Sequence, residues 1–304
     1  MIKSADMRNG IVLVMFGTSV ESALPGLLHI RDRMSARFVQ TPVKIAFSSK
    51  IIRQIWLNRA VDSSYRISHP EIPEDILQIQ SPEMAITSLH EAGIDSFVVQ
   101  PVYIAPTKSD AGSDYSVNGL SAFETGTSGS VPIRRIVFGR HALGTYGSTY
   151  PYTKDIISVV RSLSGDIVLA RQEKAALYYM GHGNKNCSTS RVYSELVEEM
   201  RCQYPDIPIV MSLIEDGPSV DETVAELKGK CVEKILLKAF MIVAVDHARK
   251  DMVSESPKCL KAQLEKKGFV VVPIFKGLGE EDDFADIFVQ HAMDAARDAG
   301  IELR

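Results

Sequence analysis

Three residues whose side chains bind metals or accept protons stand at regular distances in the second half of the chain. They are His182, Glu215 and His247, separated by 33 and 32 residues. Each follows an apolar run, the pattern of a strand that ends where α/β folds bind ligands. Two imidazoles and one carboxylate are a borderline ligand set that suits Co²⁺, Fe²⁺, Ni²⁺ or Zn²⁺. Because the spacing matches one strand–helix unit each time, we predict that the three side chains converge on one metal site.

Each residue alone also has an ordinary structural interpretation. His182 lies between two glycines and could cap the following helix, Glu215 stands before a turn, and His247 has charged neighbours typical of a protein surface. Taken together, three protein ligands with open coordination positions favour a site that exchanges metal over a closed structural site. His141, after an apolar run in the first half, is a weaker candidate.

Short apolar runs alternate with helical patterns from end to end, which predicts an α/β protein. The predicted strands are residues 11–16, 43–47, 96–104, 133–138, 175–180, 208–213, 232–243 and 269–274. The predicted helices are residues 20–38, 50–56, 82–92, 150–162, 188–204, 219–228, 257–267 and 280–299, with one more beginning near Asp246. The polar segment 58–80 and the segment 107–130, rich in Ser, Gly and Thr, are predicted to be loops.

The two halves resemble each other in sequence. IVLVMFGTS near residue 11 is similar to AALYYMGHGN near residue 175, with Thr18 at the place of His182. We therefore predict two similar lobes, each a parallel sheet flanked by helices, with a cleft between them. The predicted domains are residues 1–148 and residues 149–304, and the second would carry the metal site.

Composition limits the partners that this chain would bind. Lys and Arg number 34 and Asp and Glu number 38, so the net charge is −4, which gives no electrostatic reason to expect nucleic acid. No apolar run reaches the length of a membrane span. Four scattered cysteines without CxxC spacing and the absence of a signal peptide favour a cytoplasmic protein. The sequence leaves open whether the protein forms a homo-oligomer.

Several motifs resemble those of the anaerobic cobaltochelatases, a family of class II chelatases. The matching segments are VMFGTSVES, AFSSKIIR, VVQPVYI, MGHG, IEDGPS, VAVDHARKDM and KGLGEE, and they run along almost the whole chain. MGHG and DHARKDM are the most specific. The resemblance implies insertion of a divalent metal, with Co²⁺ first and Fe²⁺ or Ni²⁺ as alternatives, into sirohydrochlorin on the oxygen-independent route to cobalamin. It also implies a tetrapyrrole partner, no organic cofactor, and metal ligands at His182, Glu215 and His247.

The first lobe would then face the macrocycle, and there the sequence departs from the family pattern. Thr18, Ser19 and Tyr103 are the predicted macrocycle contacts, but Tyr103 replaces a histidine that is usual in the family. Arg53 and Lys238 are candidate partners for substrate carboxylates. Because of these departures we keep three alternatives: siroheme formation with Fe²⁺, a non-catalytic tetrapyrrole- or metal-binding protein on this fold, and, ranked last, a metal-dependent hydrolase.

Overall fold

The computed structural model describes residues 9–105, 132–145, 148–183, 190–215, 217–244 and 250–304. It divides the chain into two compact units. The first comprises Met1–Tyr103, Lys108–His141 and Ala285–Arg304, and the second comprises Ile104–Thr107 and Ala142–Phe284. The predicted loop over residues 107–130 and the predicted helix near Asp246 lie outside the described residues.

The first unit is built on a parallel sheet of four strands in the order β2-β1-β3-β4. Its strands are β1 (Asn9–Met15), β2 (Val43–Phe47), β3 (Ser96–Pro101) and β4 (Arg135–Phe138). Every residue of β1 is buried, as expected for an inner strand of a parallel sheet that is covered on both faces. Helices α1 (Leu24–Arg37), α2 (Lys50–Val61), α3 (Ser63–Ser68), α4 (Glu74–Leu77) and α5 (Pro82–Glu91) belong to this unit.

The second unit repeats this arrangement, with four parallel strands in the order β6-β5-β7-β8. Its strands are β5 (Ala176–Gly183), β6 (Ile209–Glu215), β7 (Lys234–Phe240) and β8 (Val270–Ile274). Its helices are α6 (Tyr152–Ser162), α7 (Ser164–Glu173), α8 (Ser190–Gln203), α9 (Val220–Lys228) and α10 (Leu260–Lys266). The predicted fold class is confirmed: the protein has two similar parallel sheets, each flanked by helices. The first strand of each unit, β1 or β5, holds the second position in its sheet.

The last helix, α11 (Asp282–Asp298), begins in the second unit and continues in the first. This differs from the predicted division, which placed all residues after 148 together. The physical reason is a set of polar contacts made by the end of the chain. Arg33 pairs with Asp286, Arg140 pairs with Asp294 at 3.0 Å, and the Asn9 amide donates to the Glu302 carbonyl.

Two helical regions differ from the sequence-based expectation. The polar segment 58–80 contains the end of α2 together with α3 and α4, because the Asp62 carboxylate accepts the N–H groups of Ser64 and Tyr65 and so caps a new helix. Helix α7 was not predicted at all. Its buried residues include Asp166, whose carboxylate accepts from the buried Lys238, 72 residues away in sequence, so the inward face of this helix is not a simple apolar stripe.

Within the described ranges, no helix combines the length and the apolar content that crossing a bilayer requires.

Candidate metal centre

His182 stands at the carboxyl end of β5, the inner strand of the second sheet. The strand is buried from Ala176 to Gly181, and His182 is the first exposed residue. The apolar run therefore holds the backbone in the core and presents the imidazole at the edge of the sheet. This is the position from which parallel α/β sheets contact ligands.

The imidazole of His182 has one nitrogen engaged by its own backbone. Nδ1 lies 3.0 Å from the carbonyl oxygen of Gly183. Since a carbonyl can only accept, this hydrogen bond requires the proton on Nδ1 and leaves the lone pair on Nε2. Backbone carbonyls commonly orient metal-binding histidines in this way. His182 is thus prepared to bind a cation through Nε2.

Glu215 ends β6, the strand next to β5, and its Cα is the register partner of Gly183. The two backbones approach so closely that a Cβ atom on Gly183 would lie 1.8 Å from the Glu215 carbonyl oxygen. Gly183 also has a φ of +70°, a conformation that favours glycine. Two independent constraints therefore require glycine directly after His182, and they bring the carboxyl ends of these strands together.

Strand alternation assigns the two candidate ligands to different rows of side chains. His182 continues the row of Tyr178 and Met180, in which the Tyr178 hydroxyl contacts Thr223 of α9 at 2.8 Å. Glu215 continues the row of Met211 and Leu213 on the opposite face. The structure thus brings both residues to the same edge of the sheet, each from its own face.

The third predicted ligand, His247, lies outside the described residues. Among the residues that the structure describes, no group of three His, Cys, Asp or Glu side chains could hold a metal ion. Convergence of all three predicted ligands therefore stays a prediction.

Lys238, a predicted partner for substrate carboxylates, has a different role. Its side chain is 1% exposed, and its ammonium group lies 2.8 Å from Asp166 and 3.3 Å from Glu281. The Tyr179 hydroxyl also donates to Asp166, at 2.7 Å. Because a buried charge is stable only when it is paired, Lys238 is committed to the interior. Burial, together with the charge of Asp166, raises the pKa of Tyr179 well above its usual value.

Thr18 and Ser19 follow β1 at the carboxyl edge of the first sheet. Thr18 is buried, its Oγ1 accepts the N–H of Val20 at 3.1 Å, and its carbonyl accepts the indole N–H of Trp56 at 2.7 Å. Ser19 is half-buried, and its carbonyl accepts from Arg59. These bonds hold the turn after β1, and contact of either residue with a macrocycle stays a prediction.

Tyr103 follows β3 and belongs to a small polar cluster at the same edge. Its hydroxyl lies 3.2 Å from that of Ser48, and its ring lies 6.2 Å from that of the buried His141. Ser48 was missed in the sequence, although the AFSSK motif that contains it follows a predicted strand. The other predicted carboxylate partner, Arg53, donates instead to the carbonyls of Phe47 and Ser48.

Comparison with known proteins agrees with this architecture. The chain is 23% identical to the sirohydrochlorin cobaltochelatase CbiKC of Nitratidesulfovibrio vulgaris, over 93% of this chain and 89% of that protein. It is 24% identical to the sirohydrochlorin cobaltochelatase of Salmonella typhimurium, over 94% and 95% respectively.

Solved chelatase structures share the fold. SirB from Bacillus subtilis with Fe³⁺ superposes with a TM-score of 0.63 at 12% identity, covering 98% of this chain and 100% of that one. CbiX, described as the terminal enzyme of siroheme biosynthesis in denitrifying bacteria, gives 0.51 at 13% identity, covering 94% and 99%. The family model for cobalt chelatase (CbiK) matches residues 9–297. A match over nearly the whole chain is decisive, and the protein belongs to the CbiK family of cobalt chelatases.

Proposed function

We propose that this protein inserts Co²⁺ into sirohydrochlorin, with His182, Glu215 and His247 handling the metal. The observation that supports the proposal is that His182 and Glu215 stand at the carboxyl ends of neighbouring strands, where Glu215 is the register partner of Gly183, in a chain whose curated relatives are named sirohydrochlorin cobaltochelatases. We also propose that the protein acts in the oxygen-independent route to cobalamin, because that route includes this reaction.

The arrangement of the two rows suggests where the metal is held. Because His182 and Glu215 belong to opposite faces of the sheet, a cation bound by both would lie over the carboxyl edge. There it would meet the planar macrocycle. His247, three residues beyond the last described residue of the β7 connection, would complete the ligand set.

Insertion exchanges two pyrrole N–H protons for one divalent cation, so the protein must release a metal and accept protons. When Nε2 of His182 gives up the cation, its lone pair becomes available to one proton. The Glu215 carboxylate is an acceptor for the second proton. Residues that bind the metal before transfer can therefore carry the protons away afterwards, and no organic cofactor is needed for this chemistry.

On the first unit, Tyr103 and Ser19 are the proposed macrocycle contacts, with Thr18 shaping the turn that carries Ser19. Ser48 and His141 join Tyr103 in this proposal because the three lie in one cluster after β2, β3 and β4. Hydroxyl and imidazole groups suit the carboxylate side chains of sirohydrochlorin. A cytoplasmic location, a homo-oligomeric state and the absence of nucleic-acid partners stay predictions from the sequence.

The test is an anaerobic insertion assay in which the protein is mixed with sirohydrochlorin and Co²⁺, Fe²⁺ or Ni²⁺, and absorbance is followed against the non-enzymatic rate. We expect the largest acceleration with Co²⁺ and a loss of about 100-fold in His182→Ala, the scale of a lost acid–base group. His90→Ala is the matched control, because His90 Nδ1 also bonds a backbone carbonyl, at 2.8 Å, far from the site in sequence.

Each other result has a defined meaning. Preference for Fe²⁺ would favour siroheme formation. Absence of acceleration with every metal would favour a binding protein that does not catalyse insertion. Equal rates for His182→Ala and the unsubstituted protein would reject the proposed metal site.

A further inference from the structure

We propose that the buried amide of Gln100, together with His291 of the last helix, positions Tyr103 at the carboxyl edge of the first sheet. This inference rests on the proposed function, in which Tyr103 contacts the macrocycle, and adds two positioning residues to it. Gln100 lies in β3, three residues before Tyr103, and is 0% exposed. His291 lies in α11 and is also buried. All three residues belong to the first unit.

Tyr103 contacts residues that follow two other strands. Its hydroxyl lies 3.2 Å from the hydroxyl of Ser48, which follows β2, and its ring lies 6.2 Å from the ring of His141, which follows β4. Because β1 separates β2 from β3 in the sheet, the side chain of Tyr103 reaches across the end of β1. Its position therefore depends on how the ends of β3 and β4 are held relative to each other.

The Gln100 amide joins the ends of β3 and β4. Its Nε2 donates to the carbonyl of Pro101, the last residue of β3, and to the carbonyl of Arg140, directly before His141, each at 2.8 Å. A carbonyl oxygen only accepts, so both bonds require the NH₂ group, and a reversed amide would face two acceptors with its own oxygen. One NH₂ group thus uses both of its hydrogens to fix the end of β3 against the end of β4.

Gly139 provides the space for this amide. A Cβ atom at Gly139 would lie 1.8 Å from Oε1 of Gln100 and 2.6 Å from its Cδ. The N–H of Gly139 also donates to the carbonyl of Val99, at 2.9 Å. Among the residues that the structure describes, Oε1 of Gln100 has no hydrogen-bond partner. Because a buried acceptor without a partner costs free energy, the two bonds made by the NH₂ group are what this buried amide contributes.

A second donor reaches the Arg140 carbonyl from the last helix. Nδ1 of His291 lies 3.1 Å from this carbonyl oxygen, and the bond requires the imidazole proton on Nδ1. One turn further along α11, the Asp294 carboxylate pairs with the Arg140 guanidinium at 3.0 Å. The residue before His141 is therefore held through both its backbone and its side chain, and the end of β4 can support Tyr103.

The test is a double-mutant cycle on sirohydrochlorin binding to the full-length protein, measured without metal by the change in absorbance of the macrocycle. We expect Tyr103→Phe and Gln100→Met each to weaken binding by about tenfold, the scale of one well-oriented hydrogen bond. In the Tyr103→Phe background, Gln100→Met should weaken binding much less, because the hydroxyl that the amide positions is gone. Gln263→Met is the matched control, since Gln263 also donates to a backbone carbonyl, at 2.6 Å, but in the second unit.

Two further measurements separate positioning from a general loss of structure. In the insertion assay at saturating Co²⁺, Gln100→Met should raise the KM for sirohydrochlorin and leave kcat unchanged. His291→Leu should weaken sirohydrochlorin binding, whereas His291→Asn should retain it, because the Asn amide nitrogen takes the place of Nδ1 and donates to the same carbonyl.

The outcomes separate failure of this inference from failure of the proposed function. If Tyr103→Phe weakens binding but Gln100→Met does not, the inference is rejected and the macrocycle contact stands. Additive losses in the double mutant, or a kcat that falls together with the affinity, would also reject it. If Tyr103→Phe binds like the unsubstituted protein, the proposed contact fails, and the inference with it. Should Gln100→Met not fold, the two His291 variants replace it, and equal binding by both would reject the inference.

Discussion

At the residue scale, Gly183 both orients the His182 imidazole and allows strands β5 and β6 to approach. The carbonyl of Gly183 holds Nδ1 of the imidazole, and the missing side chain of Gly183 lets β5 and β6 meet at their carboxyl ends. The glycine thus orients one proposed ligand and allows the other to come near. Glycine directly after the proposed metal ligand His182 is therefore required by geometry as well as by the motif.

Gly183→Ala is expected to lower the free energy of unfolding by about 1–3 kcal/mol more than Gly268→Ala does. Gly268 also has a positive φ, of +99°, but no atom lies within 4 Å of an added Cβ. The control therefore carries the backbone strain without the clash against the Glu215 carbonyl. Urea unfolding followed by far-ultraviolet circular dichroism measures both variants. Equal losses would show that the close approach of the two strands has no energetic importance.

At the scale of elements, residues 276–281 and strand β7 form one electrostatic arrangement. Burial raises the pKa of the Glu281 carboxyl, but the Lys276 hydrogen bond and the charges of Lys238 and Lys276 outweigh it, so the net pKa is lowered below its ordinary value of 4.5. A carboxyl with a lowered pKa in the folded state stabilises that state most when it is ionised. The stabilisation is complete above the pKa of the unfolded chain and is lost as pH falls through the lower pKa of the folded protein.

We therefore expect the unsubstituted protein to be more stable than Glu281→Gln at neutral pH, with a difference that shrinks as the solution is acidified below 4.5. Urea unfolding at a series of pH values measures this difference. Glu173→Gln is the control, because Glu173 pairs with Lys234 at a much more exposed site and such pairs contribute little. A difference that stays constant or grows on acidification would show that the ionised Glu281 carboxylate does not stabilise the folded state.

At the scale of the whole molecule, the C-terminal residues 285–304 pack into the first unit. Asp294, in the last helix, pairs with Arg140 at a site where their side chains are 7% and 12% exposed. Gln290 also donates to the Asp294 carboxylate, at 2.9 Å. A pair this well shielded from water is costly to break from one side, because the remaining charge loses its partner. The last 20 residues are thus part of the core of the first unit, although they follow the second in sequence.

Asp294→Ala is expected to destabilise the first unit by about 2–4 kcal/mol. Trp56 is the single tryptophan of the chain and is fully buried in this unit, so its fluorescence reports the unfolding of the first unit specifically. Asp206→Ala, which breaks a half-exposed pair with Arg171 in the second unit, should leave the tryptophan transition unchanged. A shift of that transition by Asp206→Ala, or none by Asp294→Ala, would contradict the assignment of the C-terminal residues.

The sequence by itself determined the eight strands, their division into two similar halves and the strand-end positions of His182 and Glu215. These features depend on local patterns, since an apolar run long enough for a strand and closed by glycine specifies its own end. Family motifs then supplied the chemistry for those positions. Local patterns also identified most helices, but they missed the short helices α3 and α4 and also α7, whose buried residues include the acidic Asp166.

Only the tertiary structure decided which polar residues are available and which are committed to the interior. Lys238 and Arg53 have the chemistry of carboxylate-binding residues in the sequence, yet one is buried against Asp166 and the other binds backbone carbonyls. The contacts between residues 276–281 and the end of β7, and the return of residues 285–304 to the first unit, also emerged only in the structure. In each case the deciding partner lies on another element, and such long-range contacts leave no periodic signal in the sequence around either partner.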